Sequence, residues 1–226
     1  MKKSYGSLIW KILKEYAIWQ PGDPVSLGDY GVIRDGCFER IGNIQDHAGQ
    51  IELLTRTNLL PQMSLQSRHS IDRTPLVRDL VKLSFAFGKA HGVVLSARDI
   101  RVSTFLELPK TARLIAAIEG WDRSWYVVTS VRNAGRFFLL ITRDQKISME
   151  GPAGKIEELM AGNPEDDASV QLSGALSLKL VGENGPLSVR LHQLKNRGEA
   201  FRHLEDHVDE NEPWVLAPFI DGIPEE

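Results

Sequence analysis

Between residues 170 and 180 the chain reads VQLSGALSLKL. Val170, Leu172, Leu176, Leu178 and Leu180 share one parity, while Gln171, Ser173, Ala175, Ser177 and Lys179 share the other. Successive side chains of a β-strand point to opposite faces, so a period of two makes an extended segment apolar on one side and polar on the other. A second alternating run, LSVRLHQL at residues 187–194, places Leu187, Val189 and Leu191 in phase and follows the polar stretch VGENGP. The expectation is two strands joined by a loop at 181–186. In an antiparallel sheet in water, such alternation covers a core on one side and meets solvent on the other. Over about 9–11 residues it equally suits a strand that crosses a bilayer within a closed barrel. Residues 170–180 have that length, whereas 187–194 need extending into the loop or into Lys195 and Asn196.

The same reading applies upstream. In VKLSFAF, residues 81–87, Val81, Leu83, Phe85 and Phe87 lie on one face. GKAHG turns the chain, and GVVLSARDIRV returns it with Val93 and Leu95, interrupted by Arg98, Asp99 and Arg101. This predicts a hairpin across 81–102. Another hairpin is predicted around Asp35-Gly36, between VSLGDYGVI and CFERIGNI. SLIWKILKEY, residues 7–16, has helical spacing with Ser7 as its cap. A helix is expected over 108–118 with Pro109 near its start, and another over 155–161. WYVVTSV, GRFFLLITRD and KISME read as further strands, AGNPEDDAS and 61–74 as polar loops, and HLEDHVDE as helical. Residues 51–60 are apolar without a clear period. The fold class that follows is α+β: a twisted, mainly antiparallel sheet with an amphipathic N-terminal helix and further helices around it.

A chain of 226 residues, 42% hydrophobic and 25% charged, can bury one core, expected within residues 1–198, with 199–226 as an acidic tail. No apolar run approaches the ~20 residues of a transmembrane helix, and the N-terminus lacks a small-residue cleavage site, so a cytoplasmic protein is expected. The single cysteine, Cys37, excludes an internal disulfide framework and a multi-cysteine zinc site. No GxxxxGK[ST], GxSxG or HExxH is present, and neither an enzyme nor a cofactor is expected. His203 and His207 stand four apart amid carboxylates, but spacing fixes no third ligand, and no metal site is assigned. Cys37 beside His47 reads more simply as an inert cysteine in a hairpin than as a thiolate pair. A sequence pI near 6.1 without a basic stripe argues against nucleic acid. Trp121 and Trp125 are expected to pack a helix-to-strand corner.

The net charge of -3 conceals an asymmetry. Lys2, Lys3, Lys11 and Lys14 face only Glu15 in the first twenty residues, while acids dominate after Gly198. Two readings are open for the first helix. It packs as an ordinary surface helix, or its cations draw it to anionic headgroups while Ile9, Trp10 and Leu13 sink into the interface. The acidic tail either covers that basic patch or is simply solvated. Alternating strands from many copies, closed into a ring, would leave no backbone group unpaired in lipid.

The order of elements resembles the pore-forming module of the gasdermins, particularly the short bacterial and fungal forms. The likeness lies in the basic first helix, the hairpin VSLGDYGVIRDGCFERIGNI, a helix ahead of EGWDRSWYVVTSV, and the closing GPLSVRLHQLKNRG. Residues 125–131 look like the family's "LYVVTEV"-type strand, and 186–194 like its "LAFRVxQL"-type strand. The resemblance implies a protein held inactive in the cytoplasm that binds acidic phospholipid, oligomerises and permeabilises the cell membrane in programmed cell death and defence. It implies lipid contact by Lys2, Lys3, Lys11 and Lys14, and membrane insertion of 81–102 and 170–194. Activation by a protease or protein partner is implied, with restraint from the acidic tail, a partner or self-association. Polar RDG stands where the animal proteins carry an apolar tip, and no cysteine lies near the N-terminus for lipidation. The competing expectation is a lipid- or protein-binding β-rich module that never inserts.

Overall fold

The computed structural model describes residues 2–18, 24–34, 37–48, 55–67, 70–76, 78–88, 92–196 and 214–219. In chain order the first half holds α1 (Lys2–Leu13), β1 (Tyr16–Ala17), β2 (Asp29–Arg34), β3 (Cys37–Asn43), α2 (Gln45–Ala48), β4 (Thr55–Gln66), β5 (Ser70–Pro75), β6 (Leu80–Ala86) and β7 (Val93–Phe105). The second half holds α3 (Leu108–Ala116), β8 (Tyr126–Thr142), β9 (Lys146–Pro152), α4 (Ala153–Met160), a short 3₁₀ helix (Pro164–Ser169), β10 (Gln171–Ser173), β11 (Leu176–Asn196) and β12 (Trp214–Pro218). The fold is mixed α and β, with every strand pair antiparallel among the described residues.

Its organisation follows from one run in β8, Phe137-Phe138-Leu139-Leu140-Ile141, buried at every position. A strand apolar on both faces needs a cover on each. On one face Phe137, Leu139 and Ile141 pack with Val93, Leu95 and Ala97 of β7 beneath Tyr5, Leu8 and Ile9 of α1. On the other, Phe138 and Leu140 join Val94 against Phe85, Phe87, Ile147, Met149, Ile156, Leu159 and Val170. The first cover is a helix and the second is a sheet.

The two sheets correspond strand by strand. The larger contains the run β4-β7-β8-β11, with β1 and β12 on the outer side of β11 and the β2–β3 hairpin beside the start of β8. The smaller runs β5-β6-β9-β10. The chain passes from β4 to β5, from β6 to β7, from β8 to β9 and from β10 to β11, each time changing sheet at the same end. The molecule is therefore one four-stranded antiparallel sheet doubled over on itself. Hydrogen bonds stitch the fold line: Thr142 N donates to Gly92 O (3.0 Å), Phe87 N to Gln145 O (2.8 Å) and Arg143 N to Ala175 O (2.9 Å). Asp144 Oδ2 accepts from Ala175 N at 2.7 Å. Gly174 turns there with φ +124°, and a Cβ on it would meet Lys146 O at 2.9 Å.

This doubling corrects several expectations. No hairpin forms across 81–102: β6 pairs with β5 and β9, and β7 with β4 and β8. Val81, Leu83, Phe85 and Phe87 do share a face, but Val93 and Leu95 point into the opposite core, and it is Val94 that meets Phe85. Residues 170–180 are not one strand either. Val170 and Leu172 lie in the core between the sheets, Leu178 and Leu180 pack on the α1 side, and Leu176 is 41% exposed. VGENGP is no loop, because β8 offers an unbroken template beside it. Pairing runs from Leu176↔Thr142 to Gln193↔Tyr126, with Pro186 accommodated at a bulge. Residues 61–74 supply β4 and β5, and Pro61 is tolerated because β4 is an edge strand.

Other elements match or shift slightly. The hairpin around Asp35-Gly36 forms in register Arg34↔Cys37, its two turn residues lying outside the described ones. The first helix begins at Lys2 and stops at Leu13, where Lys14 takes φ +55° and the chain enters β1. AGNPEDDAS contains the 3₁₀ helix, capped by the Asn163 side chain accepting from Glu165 N. Three of the five residues of β12 are buried, so the acidic C-terminal segment contributes a strand to the larger sheet.

A second transverse line crosses the larger sheet. Pro61 on β4 lies between the pairs Leu60↔Ile100 and Gln62↔Arg98, opposite Asp99. Gly135 lies between Arg98↔Arg136 and Arg101↔Asn133, and Asn184 between Glu183↔Arg136 and Gly185↔Ala134. Asp99 and Asn184 both have φ +53°. Across this line the inward parity switches, from Ala97 to Ile100 on β7 and from Phe137 to Ala134 on β8. A Cβ on Gly135 would stand 2.8 Å from the Asp99 Cβ. Gly135→Ala is therefore expected to destabilise by about 1–3 kcal/mol, read as a lower urea midpoint with an unchanged slope. A midpoint equal to the parent's contradicts this account of the crease.

Candidate membrane-facing helix and its anchor

Helix α1 buries Tyr5, Leu8 and Ile9, spaced i, i+3 and i+4, and leaves Lys11, Ile12 and Lys14 exposed. Tyr5 Oη donates to Leu187 O at 3.3 Å, and burial holds the Tyr5 phenol well above the ordinary tyrosine range. Trp10 is half-buried, with its ring 5.1 Å from that of Tyr16 and 5.9 Å from Lys14 Nζ. Of the residues expected at a lipid surface, Lys11 and Lys14 are presented, Trp10 and Leu13 are partly so, and Ile9 is fully enclosed. The side chains of Lys2 and Lys3 lie outside the described part of the molecule. Ile9 reaches an interface only when α1 leaves the sheet.

What ties the helix down sits one residue past its end. Glu15 is 1% exposed. Its carboxylate accepts from Arg132 Nε at 3.0 Å and Nη2 at 2.9 Å, and from Ser188 Oγ at 2.6 Å. Arg190 Nε approaches its Oε1 at 3.4 Å. Arg132 is on β8, and Ser188 and Arg190 are on β11, so one carboxylate joins the helix exit to two strands. The bidentate guanidinium and the hydroxyl satisfy a charge that burial alone would make costly. Neither Arg132, Ser188 nor Arg190 was legible as a partner, since each lies more than 110 residues from Glu15. The one available signal is that Glu15 is the lone acid in a basic run.

Next to this group, His192 Nδ1 lies 2.6 Å from Thr129 Oγ1. Burial, then the Arg190 charge, push its pKa down to about 4. The unfolded chain regains the ordinary value near 6.5 and binds the extra proton between pH 6.5 and 4. Stability falls as pH drops through that window, by about 3 kcal/mol in all. Urea titrations at pH 7 and pH 4.5 are expected to show this loss, and His192→Gln to flatten it.

The remaining candidates fall elsewhere. Leu187 packs under α1, while Val189 and Leu191 join Val128 and Val131 on the opposite face. His47 Nε2 is 3.0 Å from Tyr30 Oη, and the Cys37 side chain lies outside the described residues. Trp121 and Trp125 do form a corner, with ring centroids 4.9 Å from Tyr30 in both cases. His203 and His207 lie outside the described residues, among which no group of three or more potential ligands could hold a metal. No described helix is long and apolar enough to cross a membrane, which leaves strands unaddressed. Phe219 carries the C-terminal segment past β12 onto Tyr16 and Tyr126, at ring distances of 5.5 and 4.4 Å.

No family model and no curated protein matches the chain. Among solved structures, the chain is similar to a bacterial gasdermin from Bradyrhizobium tropiciagri, at 13% identity and a TM-score of 0.36, over 90% of this chain and 86% of that one. The fold described above rests on the chain's own pairings.

Proposed function

We propose that this protein is a non-enzymatic pore-former of the gasdermin kind. It stays in the cytoplasm until triggered by a protease or protein partner, then binds acidic phospholipid, assembles with copies of itself and inserts strands to permeabilise the cell membrane. The observation that carries the reading is the doubled sheet. Both segments expected to insert, 81–102 and 170–194, have one part in each sheet and flank β8–β9 on opposite sides. Straightening at the single fold line would extend both together. The segment 80–105 would then be 26 residues long, and 171–196 equally 26. At about 3.3 Å per residue, either exceeds by far the 9–11 residues that a bilayer strand requires.

Magnitudes say when this can happen. Ten residues are buried in the core between the sheets, and at about 1.5–3 kcal/mol each their exposure costs roughly 15–30 kcal/mol. An isolated copy in water stays folded. Opening needs lipid for the apolar side chains and neighbouring copies for the strand edges, so insertion and assembly are coupled. Lys11 and Lys14 supply the first encounter with an anionic surface, and the acidic tail is a candidate restraint on it.

Two substitutions test this without attacking the folded core. Lys11 and Lys14 are exposed, so a Lys11→Glu/Lys14→Glu variant should fold and lose about fivefold affinity or more for anionic vesicles per cation, in co-sedimentation. Leu176 is 41% exposed, so Leu176→Asp should keep parental stability while dye release from the same vesicles is abolished. Leu178 packs against the α1 core, which makes Leu178→Asp the less clean probe. Binding without release by the parent, with and without residues 199–226 and in the presence of a cell extract, would favour a non-inserting lipid-binding module.

A further inference from the structure

We infer that the Glu15 carboxylate is a latch that keeps α1 closed on the sheet, so that its loss frees the helix while the sheet persists. The inference deepens the reading above by naming what restrains the membrane-facing helix. Three observations carry it. First, the latch lies at the helix exit, where Lys14 has φ +55° and the chain turns into a strand of only two residues, Tyr16–Ala17. That end is otherwise held by the two-residue pairing of β1 with β11, by Ile18 N donating to Leu187 O at 2.9 Å and by the Tyr16 ring against Trp10 and Phe219, none of which carries charge. Second, the partners belong to the strands and not to the helix: Arg132 on β8, and Ser188 and Arg190 on β11. Third, the charges are one-sided. Two guanidinium groups, Arg132 and Arg190, converge on the Glu15 carboxylate, and the Arg132 side chain is only 11% exposed. Without Glu15, a buried guanidinium loses its carboxylate at the helix exit, and the attraction that held that end is gone.

Apolar packing closes the helix together with the latch. Tyr5, Leu8 and Ile9 are the buried apolar positions of α1, and the amphipathic face they form is the one that an interface would also accept. The latch thus biases α1 toward the sheet over any interface that would take the same face. It is an autoinhibitory contact made within the chain, distinct from any cover supplied by the acidic tail.

The test is amide hydrogen exchange of the full chain in buffer, comparing Glu15→Gln with the parent. The amides of residues 5–13 are expected to exchange at least tenfold faster, with those of 137–141 in β8 unchanged. Equal acceleration in both segments would mean general destabilisation and would overturn the latch, as would no acceleration at all. Should Glu15→Gln fail to fold, Ser188→Ala and Arg190→Gln take its place under the same criteria, since each removes one donor and Arg190 is half exposed. Co-sedimentation with phosphatidylserine vesicles then separates the two ideas. Opened α1 with tighter binding supports both, whereas opened α1 without binding keeps the latch and removes the membrane role of the helix.

Discussion

The fold depends on burying both faces of β8. Five consecutive apolar residues, 137–141, cannot face water on either side, so the chain must lay something over each. The two covers differ in kind. Above one face lies α1, which comes from the far N-terminus. Above the other lie β5, β6, β9 and β10, direct continuations of β4, β7, β8 and β11. A sheet that covers itself needs only a bend in each strand, and Gly92, Asp144 and Gly174 mark where three of those bends are secured.

The sequence showed which residues alternate, and the structure kept that alternation over each straight piece. Val81, Leu83, Phe85 and Phe87 share a face, as their period requires. Hidden from the pattern was which piece pairs with which. The stretch GKAHG looks like a hairpin turn because a tight turn and a sheet-to-sheet bend use the same glycines and polar residues. The hairpin that does form here joins β5 to β6, and its turn, where Arg78 and Asp79 take φ +57° and +61°, carries no glycine or asparagine to announce it. VGENGP failed as a loop for the converse reason. A long neighbouring strand can carry Gly, Asn and Pro through its ladder with bulges, and β8 is seventeen residues long.

The anchor was illegible on different grounds. Helical spacing marked the segment as amphipathic, but the buried face is Tyr5, Leu8 and Ile9: Tyr5 precedes the expected span, Trp10 and Leu13 are only partly covered, and Ile12 is exposed. Which surface α1 contacts in the folded chain depends on Glu15, and its partners are scattered over β8 and β11. Local patterns report on neighbours one turn or one pleat away. A carboxylate that closes contacts across 117 and 173 residues leaves no trace at that range.

Placed side by side, the two covers of β8 are unequal. On the covering side, seven buried residues (Phe85, Phe87, Ile147, Met149, Ile156, Leu159 and Val170) hold the folded-over sheet and α4, whereas three buried residues and one carboxylate hold α1. On the area scale that is roughly 10–20 kcal/mol against about 5–9 kcal/mol before the ion pairs are counted. Ion pairs add to the second figure only while geometry and burial are intact, and they fail together once one partner is lost. The helix is therefore the lighter cover and the one with a cooperative release. On the proposed reading, a membrane that draws α1 away would expose Val93, Leu139 and Leu187 on one face of β7, β8 and β11 before the other face is disturbed. An exposed apolar face next to a bilayer, or next to another copy in the same state, is what would supply the driving force for opening the larger core. On the proposed reading, encounter, helix release and sheet opening would follow in that order, set by the strength of each contact.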